Sequence, residues 1–429
     1  MNLASTVKLK KETPFIWELV FLSIARSYYV SDSITTIITL LLFVIIFIRI
    51  KKILIPRIKN TNLYIFFIIY ATVYGMLMFS TREVTRTLFY LFPTILCIWL
   101  GYFLQMVYEH KSIFKTIYLV GILNCVHTLL YVLVNIGQIK DITDVREYAS
   151  GFVFEISIVL VAFYVEKLLF KKIIFGYIID ILVMILFAIK IAISLTRSAI
   201  GQAIVGLLVA FILLLIFDFR RINIGLVIGA IIFAATLAVV FAVLPKDAIE
   251  SFNEKIDNTG AEISSNQKFK TVDDAMANWR GFEIQEAQRQ WKNNKNGFEV
   301  IFGEGLGASI NVRFIPYNWQ GEIEGKSIPL LHNGFYGVLI YGGVFGLVAL
   351  IWFLLGGLFL LIKNYKKMEG IREYLIINAA TSVSIILATY VVNGVVGKTL
   401  FLNWCLICGC TNAMVINYKE NKDEEETGE

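Results

Sequence analysis

Charge is scarce in this sequence. Only 17% of its 429 residues are Asp, Glu, Lys or Arg, while 57% are hydrophobic and the mean hydropathy is +0.71. That leaves too little polar surface to cover a water-soluble globule of this size, so the bilayer must act as the solvent for most of the chain. Cysteine is also scarce. All five (Cys97, Cys125, Cys405, Cys408 and Cys410) fall inside apolar segments, which excludes a disulfide framework and leaves a cluster of Cys405, Cys408 and Cys410 without a His or acidic partner for zinc. Histidine occurs three times, as His110, His127 and His332. Few side chains are therefore ready to move protons near neutral pH.

What is abundant is the apolar run of about 17 to 25 residues, long enough to cross a hydrocarbon core of about 30 Å as a helix. Such runs are continuous and do not alternate, which points to a helical bundle and not a barrel. The expected spans are 14–30, 33–50, 62–79, 87–108, 113–136, 150–170, 173–193, 198–217, 222–244, 331–362, 373–393 and 400–417. The fold expected is thus an all-α polytopic membrane protein of about 12 transmembrane helices with one large, partly helical extracytoplasmic loop. Its parts are an N-terminal bundle (1–244), the loop (245–330), three C-terminal spans (331–417) and an acidic tail (418–429), read as disordered.

Orientation follows from the basic residues of the short loops. With the N-terminus inside, the cytoplasmic segments hold 21 Lys and Arg against 6 in the short outer loops, namely Arg82, Arg86, Lys140, Arg146, Arg197 and Lys398. Both termini are then cytoplasmic and the 245–330 loop lies outside. The net charge of +6 needs no nucleic-acid partner. Within the loop, the stretch from Thr271 to Trp291 reads as one amphipathic helix of about five turns, with Thr271 and Asp274 as its capping box.

Candidate chemistry gathers on the outer side. His332 stands where the loop re-enters the membrane, with Asn333 beside it and Tyr336 a turn further on. An imidazole at a water-facing mouth can accept a proton; an interfacial helix anchor is the competing reading. Arg197, in the turn SLTR, and Arg280, in the loop helix, are placed on the same side. Two permanent cations near a base suit a lipid-linked phosphate or diphosphate, because Arg presents a planar fork to phosphate oxygens. Each Arg alone also fits an ordinary headgroup anchor. Arg313, Asn333 and Tyr336 are supporting candidates. The glycines of FGEGLGAS (Gly303, Gly305, Gly307) do not follow a strand and make no nucleotide site. Asp273 and Asp274 read as helix-start acids, with no metal assigned. Glu155 and Lys190 lie within spans, where they either line an ion or proton path or snorkel from the span ends.

Four pieces in order resemble the O-antigen polymerase and ligase superfamily of bacterial surface-polysaccharide assembly (Wzy and WaaL types). They are SLTRSAIG at the head of a span, NWRGFEIQEAQRQW in the loop, FEVIFGEGLGAS after it, and LLHNGFYGVLIYGGVFGLVALIWFLL at its end. The resemblance covers roughly 190–362; the earlier spans are similar only in number and hydrophobicity. It implies a cytoplasmic-membrane glycosyltransferase, independent of metal and cofactor, that polymerises undecaprenyl-diphosphate-linked oligosaccharide repeats into O-antigen, capsular or exopolysaccharide. Arg197 and Arg280 would hold the donor diphosphate, and His332 would activate the acceptor hydroxyl. Partners implied are the lipid-linked donor, the glycan acceptor, membrane lipids and other polysaccharide-assembly proteins. A ligase that transfers the same glycan to lipid A core, and a lipid-linked oligosaccharide flippase or transporter, stand as alternatives.

Overall fold

A computed structural model describes residues 58–139, 141–219, 224–257, 269–294, 296–314, 327–397 and 401–427, together with 41, 44, 45, 48, 56, 259 and 260. The expected spans 14–30 and 33–50, and Lys140, Arg220, Arg221 and Lys398, lie outside that description almost entirely. In chain order the helices are α1 (Asn62–Met78), α2 (Thr81–Val107), α3 (His110–Val134), α4 (Ile142–Ala149), α5 (Val153–Tyr164), α6 (Tyr177–Ile193), α7 (Arg197–Phe217) and α8 (Ile224–Val243). There follow α9 (Lys246–Asp257), α10 (Val272–Ala277), α11 (Trp279–Asn293), α12 (Gly297–Phe302), α13 (Gly334–Leu354), α14 (Gly356–Asn364), α15 (Arg372–Val392) and α16 (Leu402–Thr427). The strands described, β1 (Ile310–Asn311) and β2 (Ser327–Ile328), form one short antiparallel pair.

Among the described residues six helices are long and apolar enough to cross a membrane: Lys59–Met78, Thr81–Val107, His110–Val134, Arg197–Phe217, Gly334–Leu354 and Glu369–Val392. Their outward faces are as apolar as their inward ones. Leu77 is 78% exposed, Val134 82% and Ile216 68%, which suits lipid and not water. Polar groups turn inward instead. Lys167 and Asp180 form a buried ion pair at 2.7 Å, and Asp180 also accepts from the backbone N–H of Ile174 and Phe175.

Glu155 and Lys190 do not snorkel. Glu155 is buried and its carboxylate accepts from the backbone N–H of Leu402 and Asn403, satisfying the open start of α16. Lys190, fully buried, donates to Thr128 Oγ1 and Ala149 O at 2.7 Å each, tying α6 to α3 and to the end of α4. All five cysteines are buried free thiols.

Four elements differ from the sequence expectations. The 331–362 span is two helices, divided at Leu355 where α14 begins on consecutive glycines, Gly356 packing on Asn60 and Gly357 on Asn378 and Ser382. The 418–429 tail is helical as far as Thr427, because α16 continues past the apolar run. The loop helix is broken at Asn278 (φ −131, ψ 49) into α10 and α11. α4 and α9, whose polar faces hid them from a search for spans, pack together over Val145, Ala149, Ala248 and Phe252.

The FGEGLG run has a structural use. Gly343 breaks the interior of α13 (φ 58, ψ −155), a conformation open essentially to glycine. The carbonyls of Ile340 and Tyr341 are met by the N–H groups of Glu304 (2.9 Å) and Gly305 (3.0 Å), while Leu306 N–H donates to Ala71 O of α1 at 2.8 Å. A Cβ on Gly303 would come within 2.3 Å of Gly342 N, so the loop can approach the kink only as glycine.

Candidate functional site

α11 and the start of α13 meet through one buried carboxylate. Glu283, 1% exposed, faces α13 among Phe282, Ile284 and Ala287. Its Oε1 accepts from Trp279 Nε1 at 2.6 Å, and its Oε2 accepts from His332 N–H at 2.9 Å. His332 Nδ1 stands 3.0 Å from both oxygens. A carboxylate in that position is an acceptor only, so it selects the tautomer with the proton on Nδ1 and leaves Nε2 with a lone pair. The His332 side chain is 44% exposed, so the ring edge opposite Glu283 reaches open space. His332 O in turn accepts from Asn393 N–H, where the chain turns out of α15 through left-handed Asn393 and Gly394.

Asn333 caps α13: its Oδ1 accepts from Phe335 N–H (3.0 Å) and Tyr336 N–H (3.2 Å). Its Nδ2 is buried with no hydrogen-bond partner among the described residues, a donor that costs about 1–3 kcal/mol to hold dry. Tyr336 OH accepts from Gln288 Nε2 at 2.7 Å, a second tie between α11 and α13. Arg280 is half-exposed on α11. It precedes Glu283 by three residues, a spacing that sets the two Cβ atoms about 5–6 Å apart.

Arg197 opens α7 after a tight turn. Leu195 is left-handed (φ 47), Arg146 Nη2 donates to Leu195 O at 2.9 Å, and Thr196 N–H donates to Ser194 Oγ at 3.3 Å. Arg197 Nη1 donates to Thr259 Oγ1 at 2.7 Å. A cation on a helix N-terminus, where backbone N–H groups are also unsatisfied, favours anions. Arg197 and His332 lie at the same end of the bundle. Gly201, one turn into α7, sits 3.5 Å by its Cβ position from Leu387 of α15, while Thr389 and Asn393 of α15 press on Gly334.

Arg313 is placed elsewhere. Its Nε donates to Glu286 at 2.7 Å and its Nη2 to Gln285 at 2.6 Å, so it holds the end of β1 against α11. Glu286, fully buried, also takes Arg289 at 2.6 Å. A side-chain hydrogen bond with Thr271, together with the N–H groups of Lys270 and Thr271, holds the Asp274 carboxyl below the usual range, as befits a helix cap. Two turns along α11 from Glu283, Gln290 Nε2 donates to Glu304, whose carboxyl burial pushes up.

Glu283, Trp279 and Gln288 escaped the sequence reading. The available signal was an acid between Phe282 and Ile284, on the apolar side of the loop helix, one turn from Trp279. Among the described residues no group of three His, Cys, Asp or Glu is placed to hold a metal. No family model matches the chain, and no curated protein matches it.

Proposed function

We propose that this protein is a polymerase of lipid-linked oligosaccharide repeats, working on the outer face of the bacterial cytoplasmic membrane within a bundle of about 12 spans. The observation that supports it best is the Glu283–His332 pair, with the free ring edge turned outward at the bundle end that also carries Arg197 and Arg280.

In this reading the acceptor glycan's hydroxyl attacks the anomeric carbon of the donor. The hydroxyl proton passes to His332 Nε2, and the bond from the anomeric carbon to the diphosphate oxygen breaks. Undecaprenyl diphosphate leaves with that electron pair, its growing negative charge met by Arg197 and Arg280. Glu283 stabilises the imidazolium that forms. The deciding experiment incubates purified protein with synthetic undecaprenyl-diphosphate repeat units and scores longer lipid-linked chains; no elongation with any repeat unit from the host rejects the reading.

Arg197→Lys and Arg280→Lys are each expected to lower elongation about tenfold or more. The charge survives, but an ammonium cannot rebuild a two-pronged contact to phosphate. Full activity in both variants reduces the two arginines to generic anchors.

The topology has a separate check. The native thiols are all buried, so an introduced cysteine reports alone. Asn311→Cys, on exposed β1, is expected to react with an impermeant thiol reagent in intact spheroplasts, and Lys366→Cys, exposed beyond α14, only after permeabilisation. The reverse pattern inverts the orientation. Asn364 is unsuitable as the inner probe, because it is buried and donates to Leu360 O.

A further inference from the structure

The end of the bundle remote from His332 holds a second concentration of charge, around a cavity of about 340 Å³. The 21 residues of α15 separate the two ends, about 30 Å of helix. Lys111 and Lys115 project from the first turns of α3 at a spacing of four, hence on one face. Lys172 arrives from the other side, just after the π-helical turn Val165–Leu169 that continues α5. Left-handed Lys171 (φ 54) reverses the chain there, and Lys172 N–H donates to Glu166 O at 3.0 Å.

The charges are unevenly matched. Lys172 Nζ reaches the Glu373 carboxylate and lies 5.0 Å from the Tyr374 ring centre. Glu166, buried, accepts from Tyr118 OH at 2.8 Å. Lys111 and Lys115 make no ion pair among the described residues; the Lys115 ammonium only approaches the Phe175 ring, at 5.5 Å. Two cations without an ion pair, the buried Glu166 carboxyl held by Tyr118, and a tyrosine-lined floor thus face one cavity with basic groups in excess, beside a helix distortion of a kind frequent at functional sites.

The rim distinguishes a lipid from a free anion. Ile173 lines the cavity yet is 69% exposed, and Ile178 and Leu182, a turn apart on α6, are 72% and 58% exposed. A soluble phosphate gains nothing from that apolar flank, whereas an amphiphile covers it. We propose that this cavity binds the phosphate-bearing headgroup of an anionic phospholipid, its acyl chains running along Ile173, Ile178 and Leu182. The inference needs the helices to lie in a membrane and is independent of glycosyl transfer.

The test measures lipid retention by native mass spectrometry and thermal unfolding of the full-length protein in detergent micelles supplemented with phosphatidylglycerol, phosphatidylcholine or soluble glycerol phosphate. Phosphatidylglycerol alone is expected to be retained and to raise the melting midpoint. Lys111→Gln/Lys115→Gln should need about tenfold more of it or higher for half-saturation, given about 1 kcal/mol per basic residue near an anionic headgroup. Lys363→Gln/Lys367→Gln removes exposed charge at the same end outside the cavity and should change nothing. Melting in phosphatidylcholine reports whether the double variant folds, and Lys111→Gln alone carries the test if it does not. Equal retention of phosphatidylcholine, equal weakening by both lysine pairs, or saturation by glycerol phosphate at the same concentration overturns the proposal.

Discussion

Replacing His332 by alanine is expected to lower chain elongation per folded molecule by about two to four orders of magnitude, the usual contribution of a positioned acid–base group. The loss should fall on turnover, with donor binding nearly unchanged, since the phosphate contacts are assigned to Arg197 and Arg280. Stability should change little, because the backbone of residue 332 keeps its bonds to Glu283 and Asn393. What disappears is the ring, which is 44% exposed and contributes little burial. Near-normal elongation per milligram of monodisperse His332→Ala protein, or a loss of thermal stability in step with activity, would make the histidine a helix anchor.

Glu283→Gln is expected to cost about a hundredfold or more in elongation, by a different physical route. An amide carries a donor where the carboxylate had an acceptor. It can present N–H to His332 Nδ1, which stabilises the opposite tautomer and puts the proton on Nε2, the atom that must receive one from the acceptor. The same donor leaves either Trp279 Nε1 or His332 N–H without its acceptor, at about 1–3 kcal/mol of stability. Assays should therefore be run well below the melting midpoint and scaled to folded protein. If the two residues act as one unit, the double variant with His332→Ala is no slower than His332→Ala alone. Multiplicative losses would show that Glu283 acts independently of the ring.

The long helices were legible because their signal is local. A run such as LLVAFILLLIF at Leu207–Phe217 declares a helix that lipid can surround, whatever it packs against. His332 stood out for the same reason, as a rare residue at the mouth of an apolar run. Its partner did not, since Glu283 lies 49 residues earlier and only folding brings the two together. Glu155, which meets Asn403 N–H across 248 residues, was ambiguous on the same account. The break at Asn278 was hidden by a capping pattern and an amphipathic period that run through it, with no Pro or Gly at the break itself. The packing use of the FGEGLG run was not legible locally, because it depends on a kink in a helix more than 30 residues downstream.

That kink also ties two distant parts of the chain to each other. As the chain leaves the ribosome, α1 and the FGEGLG segment are synthesised before α13. In the bilayer the Ile340 and Tyr341 carbonyls of α13 find their partners, among the described residues, on Glu304 and Gly305, and each would cost several kcal/mol if left to hydrocarbon. The bent form of α13 and the docking of the FGEGLG segment on α1 are therefore one event: neither the kink nor the loop is satisfied without the other.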